Sequence, residues 1–124
     1  GSCDPCYPRL CSKVDGQIWN SGSRNAQLSA PGALRIYGAG SLQSITLFYS
    51  GPFEVGTTQA GVSFRGEYRD SNGTLFESSA GFIQIHLFDT TERKIAGIFS
   101  FKAVENAGTV TKTIDSGIFT ELSY

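Results

Sequence analysis

Between Gly81 and Glu105 the chain reads GFIQIHLFDTTERKIAGIFSFKAVE, two alternating runs on either side of a polar break. Side chains on a strand point to opposite faces in turn. Ile83, Ile85 and Leu87 therefore share a dry face, and Phe82, Gln84, His86 and Phe88 share a mixed one. After Asp89–Lys94, Ile95, Gly97, Phe99, Phe101 and Ala103 fall on one side, with Ala96, Ile98, Ser100, Lys102 and Val104 on the other. A helix does not fit, because Ser100 and Lys102 would interrupt its apolar stripe. The stretch predicts two long strands joined by a short turn. Gly97 in mid-strand predicts a bulge or a neighbour's ring lying over the backbone.

The rest of the chain supplies companions for this pair. Lys13–Trp19 has the form of a hairpin turning at Asp15-Gly16. Ala30-Pro31-Gly32 is expected to turn between a strand near Ala26–Ser29 and one at Leu34–Tyr37, and Gly38-Ala39-Gly40 to turn again. Gln43–Tyr49 alternates cleanly. Phe53–Gly56 reads as a short extended piece. Val62, Phe64, Gly66 and Tyr68 alternate with Ser63, Arg65, Glu67 and Arg69, which describes a half-buried strand with one charged face. Asp70–Gly73 is a turn; Tyr68 stands where a calcium loop would need its first oxygen ligand. Leu75-Phe76-Glu77 is expected to be a short returning strand, and Glu105–Gly108 a turn. Asp115-Ser116-Gly117 is expected to bulge one long final strand, since the strand before it needs a partner of similar length. The sum is an all-β domain, an antiparallel β-sandwich or β-barrel of eight to ten strands.

A chain of 124 residues, 40% hydrophobic, is long enough for one core. Its organisation is read as a cysteine-containing arm over 1–12 and a single β-domain over 13–124. The chain does not open on Met, and Gly1-Ser2 reads as a cloning scar, which implies that the native start was removed. A net charge of −1 with no basic block argues against nucleic acid as a partner. The three cysteines, Cys3, Cys6 and Cys11, allow three single pairings, each leaving one thiol over. No metal site is expected, because His86 is the only histidine and structural zinc wants four ligands. A disulfide is the better expectation in an oxidising compartment, with Cys6–Cys11 holding the arm. Cys3, near the mature N-terminus, is placed where a bacterial lipoprotein carries its lipid.

Three segments together resemble a family of small exported lipoproteins, common in Bacteroidota, built on a domain of unknown function. They are Lys13-Val14-Asp15-Gly16-Gln17-Ile18-Trp19; the Ile83–Leu87 strand with Asp89-Thr90 and Ile95–Phe101; and Ile114-Asp115-Ser116-Gly117-Ile118-Phe119. Ala96 and Ser116 depart from the family's Ser and Asn/Asp. The resemblance implies export to the bacterial cell envelope and lipid attachment at Cys3; it implies no reaction.

No catalytic residues and no cofactor are expected. His86 is the one obvious general base, and Ser100 or Ser44 with Asp89 or Asp115 could be imagined around it. No Gly-x-Ser-x-Gly elbow marks a nucleophile, which leaves a hydrolase the weakest reading. The main expectation is a non-catalytic domain that binds a protein, glycan or small ligand and meets a membrane only through its lipid. The alternative is a lipocalin-like carrier whose cavity is lined by Phe82, Gln84, His86 and Phe88. Trp19 is expected in the core or capping an edge rather than as a sugar platform.

Overall fold

The computed structural model describes residues 10–20, 23–29, 33–40, 43–51, 55–59, 61, 63–105 and 110–124. Cys3, Cys6, the Ala30-Pro31-Gly32 turn, Phe53-Glu54 and residues 106–109 lie outside the described residues, and Cys11 enters only through its backbone. Ten strands are described: β1 (Leu10–Val14), β2 (Gln17–Asn20), β3 (Ser23–Ser29), β4 (Ala33–Ala39) and β5 (Ser44–Tyr49). They continue as β6 (Gly56–Gln59), β7 (Phe64–Arg69), β8 (Leu75–Asp89), β9 (Lys94–Glu105) and β10 (Thr111–Ser123). All pairings are antiparallel, in the order β2-β1-β10-β9-β8-β7-β5-β4-β3, with β6 beside β8. The architecture is all-β, one strongly curled sheet forming a half-barrel. β1 begins at Leu10 and pairs with β10 from that residue on.

Chain connectivity forces the curl. Laid flat, the two edge strands β2 and β3 would stand about 38 Å apart at strand spacing. Yet β3 follows β2 after two residues, so Asn20 and Ser23 are separated by no more than about 11 Å. The sheet must roll until its edges approach. Leu10 and Trp19 then reach across to Gly38, where a Cβ would lie 2.4 Å from Leu10 Cδ2 and 3.1 Å from Trp19 Cη2. Gly38 and Ala39 are therefore strand, not turn: the missing side chain is the space the closing residues occupy. Trp19 is 4% exposed, and its Nε1 has no hydrogen-bond partner among the described residues.

One face of the sheet points inward and is filled. Phe64, Tyr68, Phe76, Ile83, Phe99, Phe101 and Phe119 are all buried there. Each large side chain removed from water contributes roughly 1.5–3 kcal/mol. The rings fit because glycines lie under them. A Cβ on Gly66 would meet the Phe101 ring at 2.7 Å, one on Gly117 the Phe99 ring at 2.5 Å, and one on Gly97 the Phe119 ring at 2.8 Å. The ring expected over Gly97 is thus Phe119, its direct cross-strand partner.

The central pair is longer and less regular than its pattern. Leu75-Phe76-Glu77 is not a separate strand: β8 runs unbroken for 15 residues, bending where the register with β9 shifts between Ser78 and Ala80. Its first part pairs with β7 and its later part with β6. Past the β7 pairing, Gly66 N–H donates to Ser78 Oγ at 3.1 Å instead. A second shift falls between Ile85 and Leu87, making His86 the extra residue. An added residue reverses which face later side chains take. Leu87, expected in the dry face, is 39% exposed, while Phe88 packs against the core and the Tyr124 ring, 5.1 Å away. The Asp115–Gly117 step is a bulge within one long final strand, as the pattern predicts.

The turns carry their own chemistry. Asp15 (φ 50°) and Gly16 (φ 85°) form the left-handed pair that a two-residue hairpin requires. Asp15 also binds β10, accepting from Thr113 N–H at 2.8 Å and approaching Lys112 Nζ at 3.4 Å. Asp70 Oδ1 accepts from the amides of Asn72 and Thr74, both at 2.9 Å, so this carboxylate closes a turn. Asp89 does the same for Thr91 and Glu92.

One buried hydroxyl makes stability sensitive to alkali. Tyr68 is 2% exposed and accepts from Gln43 Nε2 at 2.8 Å. Burial raises its pKa above 10.0, opposed by the Gln43 bond and helped by the charge of Asp70. The fold holds the proton more tightly than the unfolded chain, so the stabilisation is intact below the unfolded pKa. It falls as pH rises above about 10 and on through the folded pKa. Urea midpoints measured from about pH 8 to about pH 11 should therefore decline more steeply in the parent than in Tyr68→Phe.

Candidate functional site

The residues singled out as possible catalysts are not brought together. His86 is exposed on its bulge, with Nε2 3.1 Å from Gln84 Oε1. Ser100 Oγ donates to the Ile114 carbonyl at 3.3 Å, and Asp89 is occupied by turn amides. Asp115 keeps a buried Oδ1 without a partner among the described residues, while its backbone carbonyl accepts from Ser12 Oγ at 2.8 Å. Ser44 lies on β5 and pairs with Arg69, away from His86. The wall proposed for a carrier is not an interior wall: His86 points to solvent, and the inside of the half-barrel is packed with aromatic rings. No cluster of three or more His, Cys, Asp or Glu side chains is positioned for a metal ion among the described residues.

A different region is concave. It lies where β4, β5 and β7 run side by side, and its main residues come from their outer face. That face is set by register: Gln27 opposes Arg35, Arg35 opposes Phe48, and Phe48 opposes Arg65, one residue per strand from β3 to β7. Two residues along, Asn25, Tyr37, Thr46, Glu67 and Glu77 form a parallel row from β3 to β8. A cavity of about 510 Å³ opens beside the first row, lined by Ala33, Arg35, Phe48, Ser50, Ser63 and Arg65 among others. A second cavity of about 210 Å³ follows beside Tyr37, Thr46, Glu67 and Arg69.

Arginine and aromatic side chains support each other here. The Arg65 guanidinium carbon stands 4.4 Å from the Phe48 ring centroid, and that of Arg35 stands 5.8 Å from the Tyr37 centroid. Arg65 is half exposed and reaches Glu67 and Glu77 only at 3.9 Å each, contacts worth little in solvent. Arg35 has no carboxylate within ion-pair distance among the described residues. A guanidinium stacked on a ring keeps its N–H edge free while losing rotational freedom. The arrangement presents two planar donors to an incoming oxyanion, with hydroxyls and amides around them. Among the described residues it offers no acid, base and nucleophile in mutual reach.

Sequence reading placed Arg65 on a charged, solvated strand face but did not single out Arg35, Phe48 or Tyr37. The signal that unites them is the pairing of β5 with β7, past β6, and no local pattern carries that. Searches of curated proteins and of solved structures each found no match. The model of one family, described as Domain of unknown function (DUF6252), matches residues 7–123, nearly the whole chain, and the chain belongs to that family.

Proposed function

We propose that this chain is an exported, non-catalytic β-domain of the Bacteroidota lipoprotein type, tethered to the cell envelope through a lipid on Cys3 and binding a ligand on its outer face. The carrying observation is the nature of the concavity on β4, β5 and β7: two ring-supported guanidiniums and a rim of hydroxyls, with the candidate acids and bases elsewhere. Such a surface suits recognition, since orienting donors in a groove is what selective binding needs and chemistry would require more. The bacterial lipoprotein resemblance of the motifs supports the tether. Radiolabelled palmitate fed to cells expressing the native gene should label the parent protein and not Cys3→Ala. Equal labelling of the two would remove Cys3 as the anchor.

A further inference from the structure

We infer that the outer face of β4, β5 and β7 binds an acidic glycan, a sugar chain bearing carboxylates, with Arg35 and Arg65 as the carboxylate receptors. The inference rests on the binding reading above and names its ligand class. Three features carry it.

The first is charge. Arg35 and Arg65 sit in one cross-strand row with Phe48 between them, so their backbones are about 10 Å apart at strand spacing. Among the described residues Arg35 has no ion-pair partner, while Arg65 reaches Glu67 and Glu77 at 3.9 Å each, half-exposed contacts that an incoming carboxylate would have to displace. Each guanidinium presents a fork that fits a carboxylate bidentately. Two receptors at that separation favour a ligand that repeats its negative charge along its length. The second is the rim. Gln27 and Asn25 continue the two rows on β3, and Thr46, Ser50 and Ser63 add hydroxyls. Amides and hydroxyls that donate and accept are the natural partners of sugar hydroxyls. The third is shape. The two concavities follow one another along the strands, and Arg35 and Arg65 both line the first of them, an open concavity on the sheet face. The faces of Phe48 and Tyr37 are turned to the guanidiniums, so recognition here runs through charge and hydrogen bonds more than through ring stacking.

The test uses a galacturonic acid tetramer as probe, its fully methyl-esterified form as the neutral control, and an oligoglutamate peptide of similar charge. Binding is followed by calorimetry and by amide chemical-shift mapping on the isotope-labelled protein. The acidic tetramer should bind, weaken as salt is raised, and shift the amides around Arg35, Phe48 and Arg65. Arg35→Gln and Arg65→Gln should each lower affinity about tenfold or more, while Lys102→Gln, on β9, leaves it unchanged. Thermal unfolding of each variant, unaltered from the parent, separates lost binding from lost fold. Equal binding of acid and ester, wild-type affinity in both arginine variants, shifts mapping elsewhere, or equally tight binding of the peptide at the same residues would each overturn the inference. A neutral tetramer bound on this face would sink the acidic class but keep the binding reading; no binding of any of the three probes would count against both.

Discussion

Gly97→Ala is expected to cost about 3–5 kcal/mol, a large part of what a domain of this size has in reserve. The reason is a single added carbon in the wrong place. A Cβ on Gly97 would lie 2.1 Å from the Gln84 carbonyl oxygen and 2.8 Å from Phe119 Cζ. The ring can tilt, but the oxygen belongs to the backbone of β8, paired with β9 along nearly its whole length. Making room means opening that ladder beside the His86 bulge, and each ladder bond left unmade inside the fold costs about 1–3 kcal/mol. Gly16 and Gly73 provide the contrast: nothing lies within 4 Å of either Cβ position, and positive φ alone holds them to glycine. Urea unfolding followed by circular dichroism and by Trp19 fluorescence measures the loss. A change below about 1 kcal/mol would show that β8 yields more easily than a paired strand should.

Gly97 also marks how far the fold was legible. Period-2 alternation reads directly onto β5, β7 and β9, because one face of each is dry and the other wet. The Asp15-Gly16 hairpin is legible for a different reason, since few residue pairs tolerate two positive φ values. The bulge at His86 is not legible. Leu87 and Phe88 are both apolar, so the pattern is satisfied whichever of them turns inward, and only pairing with β9 decides. The length of β8 is hidden by Ser78-Ser79-Ala80-Gly81, residues of low strand propensity held extended by pairing with β9, between the β7 and β6 pairings on the other side. Gly38 misleads in the opposite way: it resembles a turn residue, and its role is to leave room for Leu10 and Trp19 across the roll of the sheet.

The candidate site was less legible still, and topology is the cause. Arg35, Phe48 and Arg65 belong to three strands, each an ordinary alternating segment. They become one row only because β7 pairs with β5 while β6 pairs with β8. Local sequence sets which face a side chain takes but not which strand lies alongside. The exposed histidine has distinctive chemistry, yet its place is fixed by a bulge and its ring hydrogen-bonds only with Gln84 among the described residues. The arginines have unremarkable chemistry singly and gain meaning from the company that register gives them.

Phe101→Ala should be the most damaging truncation in the core, lowering stability by about 3–5 kcal/mol. Phe101 is 1% exposed at the middle of β9, stacks on Phe99 with centroids 6.4 Å apart, and lays its ring over Gly66 of β7. Removing its ring leaves a void that Gly66 cannot fill, since it has no side chain to move into it. The reverse change tests the same contact from the other side. Gly66→Ala would put a Cβ 2.7 Å from the Phe101 ring, a clash with a side chain rather than a backbone, costing about 1–3 kcal/mol. In the Phe101→Ala background the ring is gone, and the new methyl group enters the void. The double variant should therefore be more stable than the two single losses predict by about 1–2 kcal/mol. Strict additivity in urea unfolding would mean that the ring and the glycine are not packed as partners, and that the pairing of aromatic rings with glycines does not hold this half-barrel together.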